Sequence, residues 1–375
     1  MSIFPVKIDT MYPRILKPPA FSFFLFGPRG TGKTTWLREN FKDALWFNLL
    51  IDKDYLRLAQ DLSTFSKEVL AYPKDGWIVI DEIQKLPSLL NEVQNIISES
   101  NGRYKFAISG SSARKLRRLN INLLPGRVIQ KKFFPLSMVE LGSDFNIEQV
   151  LSFGTLPFVW NNLSYAEELL LTYVSTYIKE EIHQEALVKD IVGFTRFLKV
   201  CALLNGNIVN FSSVARDCGV NRKTVERYFE ILSDTLIGIW LYPWEKKPRV
   251  KEVTKPKFYL FDCGVIRAAG NRIGLPIEKE ERGRLLETYL LGELRNYLNL
   301  KKIPGELSFW RSASGAEVDF IWSLGTSHIG IEVKASNTWK RVYSKTLKSL
   351  LNEKMLSRGL AVYLGERPLK DGNVD

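Results

Sequence analysis

The most constraining feature of the sequence is a glycine-rich run that lies between a short apolar stretch and a helix pattern. Residues 27–34 read GPRGTGKT and match G-x-x-x-x-G-K-[ST] at every position. The apolar run Phe21–Phe26 precedes them, and the helix pattern Thr34–Phe41 follows. In this context glycines let backbone N–H groups converge on phosphate oxygens. The sequence therefore predicts a nucleotide-binding loop at the end of a buried strand.

Two side chains of this loop have distinct predicted roles, and ATP and Mg²⁺ are the predicted cofactors. Lys33 can reach the β- and γ-phosphates, and the Thr34 hydroxyl can hold Mg²⁺. A chance match to an unrelated glycine turn is the alternative, and the flanking strand and helix argue against it. The predicted nucleotide-binding residues are Gly27, Pro28, Arg29, Gly30, Thr31, Gly32, Lys33, Thr34 and Thr35.

A second acidic motif follows the loop at a suitable interval. The apolar residues Trp77–Ile80 are followed directly by Asp81 and Glu82. Asp81 is predicted to bind the Mg²⁺ ion together with Thr34. Glu82 stands where a carboxylate could polarise an attacking water molecule. The alternative is a strand that ends in solvated acidic residues.

Short apolar runs alternate with helix patterns in the first part of the chain, which predicts a parallel sheet with helices on both faces. The predicted strands here are Phe21–Phe26, Ala44–Leu49, Trp77–Ile80, Lys105–Ile108 and Val128–Phe134, and the predicted helices are Thr34–Phe41, Pro87–Ser98 and Ser112–Leu119. Residues 136–269 are mainly helical in pattern, with long helices at Ala166–Gln184 and Ile191–Leu204. The last part mixes both patterns, with helices Arg284–Tyr297 and Val342–Leu356 and strands Ser308–Arg311, Ala316–Trp322, Gly330–Lys334 and Gly359–Leu364.

Four motifs in order carry a family resemblance: GPRGTGKTT, WIVIDEIQKLP, ISGSSARKLRR and LPGRV. With them the chain resembles a widespread prokaryotic family of AAA+-superfamily ATPases whose members carry a C-terminal domain of uncharacterised function. The resemblance extends over the whole chain layout. It implies nucleotide binding, and it implies no settled biological role.

The resemblance also suggests two further site residues. In AAA+-type ATPases a polar residue after the strand Lys105–Ile108 senses the γ-phosphate, and Ser109 is predicted here, with Ser111 as the alternative. Arg127 is a candidate trans-acting arginine finger, which would supply positive charge across a contact between subunits. A surface arginine at the start of a strand is the other interpretation. AAA+ kinship suggests a homo-oligomer without requiring one.

The middle of the chain contains a candidate DNA-binding segment. Residues 212–228 read as a helix-turn-helix with Gly219 at the turn, and residues 210–241 as a whole read as helix, turn, helix and helix. A second basic segment, residues 245–257, resembles the wing of a winged helix. The net charge of +12 favours an anionic partner, and this clustering favours DNA over a diffuse solubility charge. The alternative is a winged helix that serves only as a packing module. The predicted DNA-facing side chains are Asn221, Arg222, Lys223 and Arg227.

Acidic residues near the C-terminus follow the layout of the PD-(D/E)XK nuclease fold. Glu287 lies on a predicted helix, Asp319 on a strand, and Glu332 and Lys334 on the next strand. Strand alternation places Glu332 and Lys334 on one face. The three carboxylates are predicted to bind Mg²⁺, and Lys334 to position or activate water. Solvated strand-end charges are one alternative, and a nuclease-like fold that only binds is another.

The predicted organisation has three domains. These are an AAA+-type P-loop ATPase domain (1–140), a helical, winged-helix-like domain (141–270) and a nuclease-like α/β domain (271–375). No signal peptide and no apolar run of about 18 residues is recognisable, so a cytoplasmic location is expected. The predicted function is an ATPase that acts on DNA, with a metal-dependent nuclease domain. The alternative is an ATP-driven switch or a DNA-binding regulator whose nuclease-like domain is inactive.

Overall fold

The computed structural model describes residues 12–72, 76–100, 102–111, 124–178, 190–244 and 255–375. Within these ranges the chain forms a five-stranded sheet near its N-terminus and a seven-stranded sheet that continues from the middle to the C-terminus. Helices cover both sheets. In the described ranges, no helix combines the length and the apolar character needed to cross a membrane.

The first sheet is parallel throughout and has the strand order β2-β3-β4-β1-β5. Its strands are β1 (Phe23–Phe26), β2 (Leu45–Asn48), β3 (Gly76–Asp81), β4 (Tyr104–Gly110) and β5 (Ile129–Lys132). Strand β1 is fully buried because helices cover both of its faces. Phe24 and Phe26 belong to one apolar cluster, whereas Phe23 and Leu25 belong to another. The predicted parallel α/β fold is therefore confirmed.

The helices that accompany this sheet are α1 (Lys33–Asn40), α2 (Asp52–Gln60), α3 (Ser63–Ala71) and α4 (Leu89–Glu99). Helices α2 and α3 were not predicted. Only Leu58 is buried in α2, so its apolar stripe is too narrow to stand out in the sequence. The predicted helix Ser112–Leu119 lies outside the described residues.

Several short helices connect the two sheets. They are α5 (Met138–Leu141), α6 (Ile147–Phe153), α7 (Pro157–Trp160) and α8 (Ala166–Thr172), and a π-helix, Tyr173–Ile178, continues α8. The end of the predicted helix Ala166–Gln184 lies outside the described residues. Residues 136–178 are thus mainly helical, as the sequence predicts for residues 136–269.

The middle region has the element order helix, strand, two helices and two strands, and its predicted winged-helix character stays a prediction. Its elements are α9 (Ile191–Leu203), β6 (Asn207–Ile208), α10 (Phe211–Cys218), α11 (Arg222–Asp234), β7 (Gly238–Pro243) and β8 (Lys257–Leu260). Gly219 has a φ of +66°, so it makes the turn between α10 and α11 that the sequence predicts. The third helix predicted within residues 210–241 is wrong. After α11 the apolar run forms β7, which pairs with β8 and β9.

The C-terminal region adds the remaining elements: α12 (Cys263–Ala269), α13 (Lys279–Lys301), β9 (Glu306–Arg311), β10 (Glu317–Leu324), β11 (Ser327–Lys334), α14 (Lys345–Asn352) and β12 (Arg358–Tyr363). The second sheet has the order β12-β11-β10-β9-β7-β8-β6. Parallel pairing of β7 with β9 therefore joins the middle region to the C-terminal region in one sheet. The proposed boundaries after residues 140 and 270 remain predictions.

Candidate functional site

The glycine-rich loop lies where the sequence places it, between the end of β1 and the start of α1. Gly32 has a φ of +88°, a left-handed conformation that favours glycine, and helix α1 begins at the next residue. A side chain at Gly27 would collide with the carbonyl oxygen of Phe133. The loop therefore requires glycine at both positions, and it presents the N-terminus of α1 to a ligand.

The side chains of Lys33 and Thr34 are held in different ways. The Lys33 ammonium group is buried and donates to the carbonyl oxygens of Gly27, at 2.7 Å, and Pro28, at 3.0 Å. The Thr34 hydroxyl donates to Oδ2 of Asp81 at 2.8 Å. The two motifs that the sequence singled out thus meet in the fold. Thr35 follows on the first turn of α1 and is exposed.

Asp81 is fully buried at the end of β3, where its carboxylate contacts helix α1 and strand β4. Its Oδ2 accepts from Thr34, and its Oδ1 accepts from the hydroxyl of Ser109 at the end of β4. The same Ser109 oxygen accepts from the backbone N–H of Glu82 at 3.1 Å. These groups meet because β3 and β4 are adjacent parallel strands whose carboxyl ends lie at one edge of the sheet.

Glu82 is held by a residue that the sequence reasoning missed. Gln84 donates through its Nε2 to Oε2 of Glu82 and, at 3.2 Å, to the hydroxyl of Ser111. Glu82 itself has a φ of +63°, uncommon for a residue other than glycine, and its side chain is buried. Oε1 of Gln84 is buried and has no hydrogen-bond partner among the described residues. Gln84 stands two residues after Glu82 in the same motif, a proximity that could have indicated it.

The candidate arginine finger does not join the site of its own chain. Arg127 precedes β5, whose first residue, Ile129, pairs with Phe23 at the beginning of β1. The phosphate loop follows the opposite end of β1. Arg127 therefore lies at the far edge of the sheet, and a role across a subunit contact stays a prediction.

Three residues distant in sequence also contact the phosphate loop, and no sequence signal identified them. Arg14 donates to the carbonyl oxygens of Thr31, at 2.7 Å, and Phe134, at 2.6 Å. The hydroxyl of Tyr173 donates to the carbonyl oxygen of Arg29 at 2.9 Å, and the ring of Phe158 lies against Gly30. Residues that precede and follow the ATPase sheet along the chain thus contact the loop.

The four residues of the predicted nuclease-like motif also come together. The register that pairs Phe320 with Ile331 places Asp319 opposite Glu332 on adjacent strands. Lys334 forms an ion pair with Oε1 of Glu332 on the same face of β11, as strand alternation predicts. On helix α13, Oε2 of Glu287 accepts from the hydroxyl of Tyr259 at 3.2 Å.

Burial and mutual repulsion change the acidity of these carboxyl groups. Burial, followed by the charge of Asp319, raises the pKa of Glu287 to about 7. The same two causes raise the pKa of Glu332 to about 8. Oε2 of Glu332 is buried and lacks a hydrogen-bond partner in the described part of the chain.

The oxygen donors would suit Mg²⁺ or Mn²⁺ chemically, but their arrangement does not fit a bound ion. Among the described residues, no group of three or more His, Cys, Asp or Glu side chains could hold a metal ion. The prediction that Glu287, Asp319 and Glu332 bind a metal therefore has no geometric support in this arrangement.

Lys257 corrects the prediction for the basic segment 245–257. The sequence predicts that this segment resembles the wing of a winged helix. Residues 245–254 lie outside the described residues. Lys257 is only 4% exposed and forms an ion pair with Oε1 of Glu317. It therefore cannot contact DNA from this position, whereas Lys255 is exposed.

The predicted DNA-facing residues of α11 do lie on the surface. Asn221 caps the helix by accepting from the backbone N–H of Thr224 at 2.8 Å. Arg222 pairs with Glu226 at 2.8 Å. The other exposed cationic side chains of α9, α10 and α11 are Arg196, Lys199, Arg216, Lys223 and Arg227. Exposed positive charges thus lie on all three helices, including the first turn of α11.

The order of these strands, the phosphate loop after β1 and the acidic residues after β3 define a P-loop domain of the AAA superfamily. Residues 21–142 match a family model described as an AAA domain. Residues 144–281 and 282–375 match two families described as domains of unknown function, DUF8612 and DUF4143. The matched regions are therefore an AAA domain followed by two regions of unknown function, and the resemblance stated above is confirmed at this level.

Similar proteins have been found among curated sequences and among solved structures. The chain is 28% identical over 355 residues to an uncharacterized protein of Mycobacterium bovis, and the alignment covers 92% of this chain and 78% of the relative. An uncharacterized protein of Mycobacterium tuberculosis matches with the same values. A structure of the Aeropyrum pernix ORC1 protein in complex with DNA matches at 15% identity and a TM-score of 0.23, over 68% of this chain and 87% of that one. That TM-score is too low to inform the fold or the partners of this chain.

Proposed function

We propose that this chain binds ATP with Mg²⁺ at residues 27–35 and hydrolyses the nucleotide. The observation that carries the proposal is the hydrogen bond of 2.8 Å between Thr34 and Asp81. A hydroxyl and a carboxylate at this spacing after a phosphate loop are the two groups that hold Mg²⁺ in P-loop ATPases. The ion, when bound, would neutralise charge on the β- and γ-phosphates.

The surrounding side chains have separate roles in this proposal. Lys33 exchanges the carbonyl oxygens of Gly27 and Pro28 for phosphate oxygens when nucleotide enters the loop. Glu82 orients and polarises the attacking water, and the amide of Gln84 holds its carboxylate in place. Ser109 keeps Asp81 oriented. The loop amides provide the remaining donors for phosphate.

The test is ATP hydrolysis by the full chain with two variants. Lys33→Ala should lower the hydrolysis rate at least about a hundredfold, because a buried cation that faces the transferred phosphoryl group is lost. Lys53→Ala, which removes an exposed lysine of α2, is the matched control and should hydrolyse ATP at the normal rate. Normal hydrolysis by Lys33→Ala would refute the assignment of the site.

We further propose that the chain acts on DNA through the exposed start of α11. The support comes from the net charge of +12 and from the exposed cations of α9, α10 and α11. In this arrangement the second helix of a helix-turn-helix presents Lys223 and Arg227 to a duplex. A winged-helix-like module that serves only for packing is the competing function.

Metal-dependent cleavage of DNA is a second candidate function for the C-terminal region. One observation favours it, namely that Asp319, Glu332 and Lys334 share one face of adjacent strands. The test is incubation of the chain with single-stranded, duplex and branched DNA in Mg²⁺ or Mn²⁺. Cleavage that disappears in Asp319→Ala and Lys334→Ala would establish a nuclease. Failure to cut any substrate would favour a C-terminal region that only binds.

A further inference from the structure

Glu287, Glu317, Asp319, Glu332 and Lys334 form an acidic cluster in the C-terminal region, and a sixth charged residue, Lys257, joins it from outside the nuclease-like motif. Lys257 belongs to β8, the strand that follows the basic segment of the middle region. Its ammonium group forms an ion pair with Oε1 of Glu317 and lies 5.2 Å from the centre of the Phe309 ring. The sequence motif could not identify Lys257, because sixty residues separate it from Glu317.

The two lysines of the cluster, Lys257 and Lys334, each form an ion pair with a different carboxylate. Burial acts to lower the pKa of Lys257, but the negative charges of Glu287, Glu317 and Asp319 outweigh it and raise this pKa. Lys334 pairs with Glu332 and also faces Asp319. Each carboxylate therefore has an ammonium group nearby, which a buried charge requires in the absence of another cation.

We propose that Lys257 is the resident cation of this cluster, and that its ammonium group takes the place that a divalent metal ion has in nucleases of this layout. The inference shares with the second candidate function only the nuclease-like layout of the C-terminal region, and it opposes metal-dependent cleavage at this cluster. It explains why the carboxylates stay buried together although no group of them, within the described ranges, could hold a metal ion. An ammonium group held among the carboxylates also repels a divalent cation.

The arrangement indicates what the loss of Lys257 would do. Asp319 would lose the positive charge of Lys257, and the open Oε2 of Glu332 on the adjacent strand would remain as a second oxygen donor. Oxygen donors of this kind bind Mn²⁺ readily. A variant without the lysine charge should therefore be less stable without metal, and it should gain an affinity for Mn²⁺ that the natural chain lacks.

The experiment measures Mn²⁺ binding and thermal unfolding of the full chain without nucleotide. All samples carry Asp81→Asn, so that the ATP site contributes no cation binding. The parent chain should unfold at the same temperature in EDTA and in Mn²⁺. Lys257→Met should unfold about 5 °C lower or more in EDTA and should recover in Mn²⁺, and the further change Asp319→Asn should abolish the recovery. Lys257→Arg keeps the charge and should remain independent of Mn²⁺.

If Lys257→Met does not fold, Mn²⁺ binding by the parent chain tests the inference. Mn²⁺ binding by the parent that disappears on Asp319→Asn would overturn the inference, and absence of such binding supports it. A Lys257→Met chain that is as stable in EDTA as the parent would also overturn it. Hydrolysis of ATP and binding of DNA, measured on chains without the Asp81 change, test the proposed function separately. Their loss would leave the result with Mn²⁺ unaffected.

Discussion

Asp81 shows how one carboxylate can organise a site through its two oxygens. One oxygen accepts from Thr34 of α1 and the other from Ser109 of β4. Ser109 in turn accepts from the backbone of Glu82. Ser111 lies in the same network, where its hydroxyl accepts from the amide of Gln84 rather than contacting Asp81. The two serines that the sequence left as alternatives are therefore not equivalent.

This difference predicts the outcome of two matched substitutions. Ser109→Ala removes a donor to the buried Asp81 and should lower the rate of ATP hydrolysis about tenfold or more. Ser111→Ala removes one partner of Gln84 and should have a smaller effect. Steady-state hydrolysis of both variants, with nucleotide binding measured in parallel, provides the comparison. A larger loss in Ser111→Ala would reverse the assignment of the sensing residue.

A second buried carboxylate predicts how stability depends on pH. Asp262 caps α12, accepts from the backbone of Thr155 at 2.7 Å and of Val265 at 3.1 Å, and has a pKa that burial raises to about 6. The folded chain therefore retains a proton that the unfolded chain releases above about pH 4. The contribution of Asp262 to the free energy of unfolding is therefore fully present below about pH 4, and it is lost as the pH rises through about 6.

Asp262→Asn should remove this dependence because the amide does not titrate. We expect the parent chain to lose stability between about pH 4 and pH 6 relative to the variant, as measured by chemical denaturation at several pH values. Asp217→Asn, at an exposed position of α10, is the control. Parallel curves for the parent chain and Asp262→Asn would contradict the raised pKa.

The residues of the ATP site were predictable because they lie in short contiguous motifs. The phosphate loop is a contiguous turn, and Asp81 with Glu82 ends a recognisable apolar strand. Arg14, Tyr173 and Lys257 act through contacts with residues 17, 144 and 60 positions away. Such contacts depend on the tertiary fold, so a single sequence contains no local pattern for them.

At the scale of elements, the spacing of apolar residues and the length of each apolar run determined which strands and helices could be predicted. The strands of the first sheet were recognisable because each is a short apolar run next to a helix pattern. The sequence pattern predicts a helix where β7 forms, because a short apolar run without clear alternation fits either structure. Its pairing with β8 and β9, which the sequence does not reveal, determined the outcome.

The exposed start of helix α11 is predicted to contact duplex DNA. Charge reversal at its exposed start, Lys223→Glu with Arg227→Glu, should weaken duplex DNA binding at least about tenfold and reduce the salt dependence of binding by about two ions. Lys53→Glu with Lys354→Glu, at exposed positions elsewhere, matches the change in net charge. Fluorescence anisotropy at several salt concentrations measures both effects. Equal weakening in the two double variants would indicate a diffuse charge effect only.

At the scale of the whole molecule, helix α13 connects the ATPase region to the acidic cluster. Its 23 residues span about 35 Å. Oε1 of Glu293 accepts from the backbone of Met138 at 2.8 Å, and Asn299 donates to the carbonyl oxygen of Lys132 at 3.3 Å. Glu287, on the same helix, belongs to the acidic cluster. One helix therefore contacts the ATPase region and also contributes a carboxylate to the acidic cluster.

The second sheet connects the middle and C-terminal regions just as closely. Strand β9 pairs with β7, and Trp244 shares an apolar cluster with Trp310 and Val318. The ion pair between Lys257 and Glu317 crosses the same border. A boundary after residue 270, which the change in sequence pattern suggests, would separate strands that complete one sheet.

This continuity predicts that residues 271–375 do not fold alone. The fragment would expose the edge of β9 that β7 covers, and it would leave Glu317 and Glu287 without Lys257 and Tyr259. Residues 136–375 keep all of these partners and should unfold cooperatively. Circular dichroism during heating compares the two fragments with the full chain. A cooperative transition of the shorter fragment would show that the C-terminal region is an independent domain and that its contacts with β7 and β8 are not needed for folding.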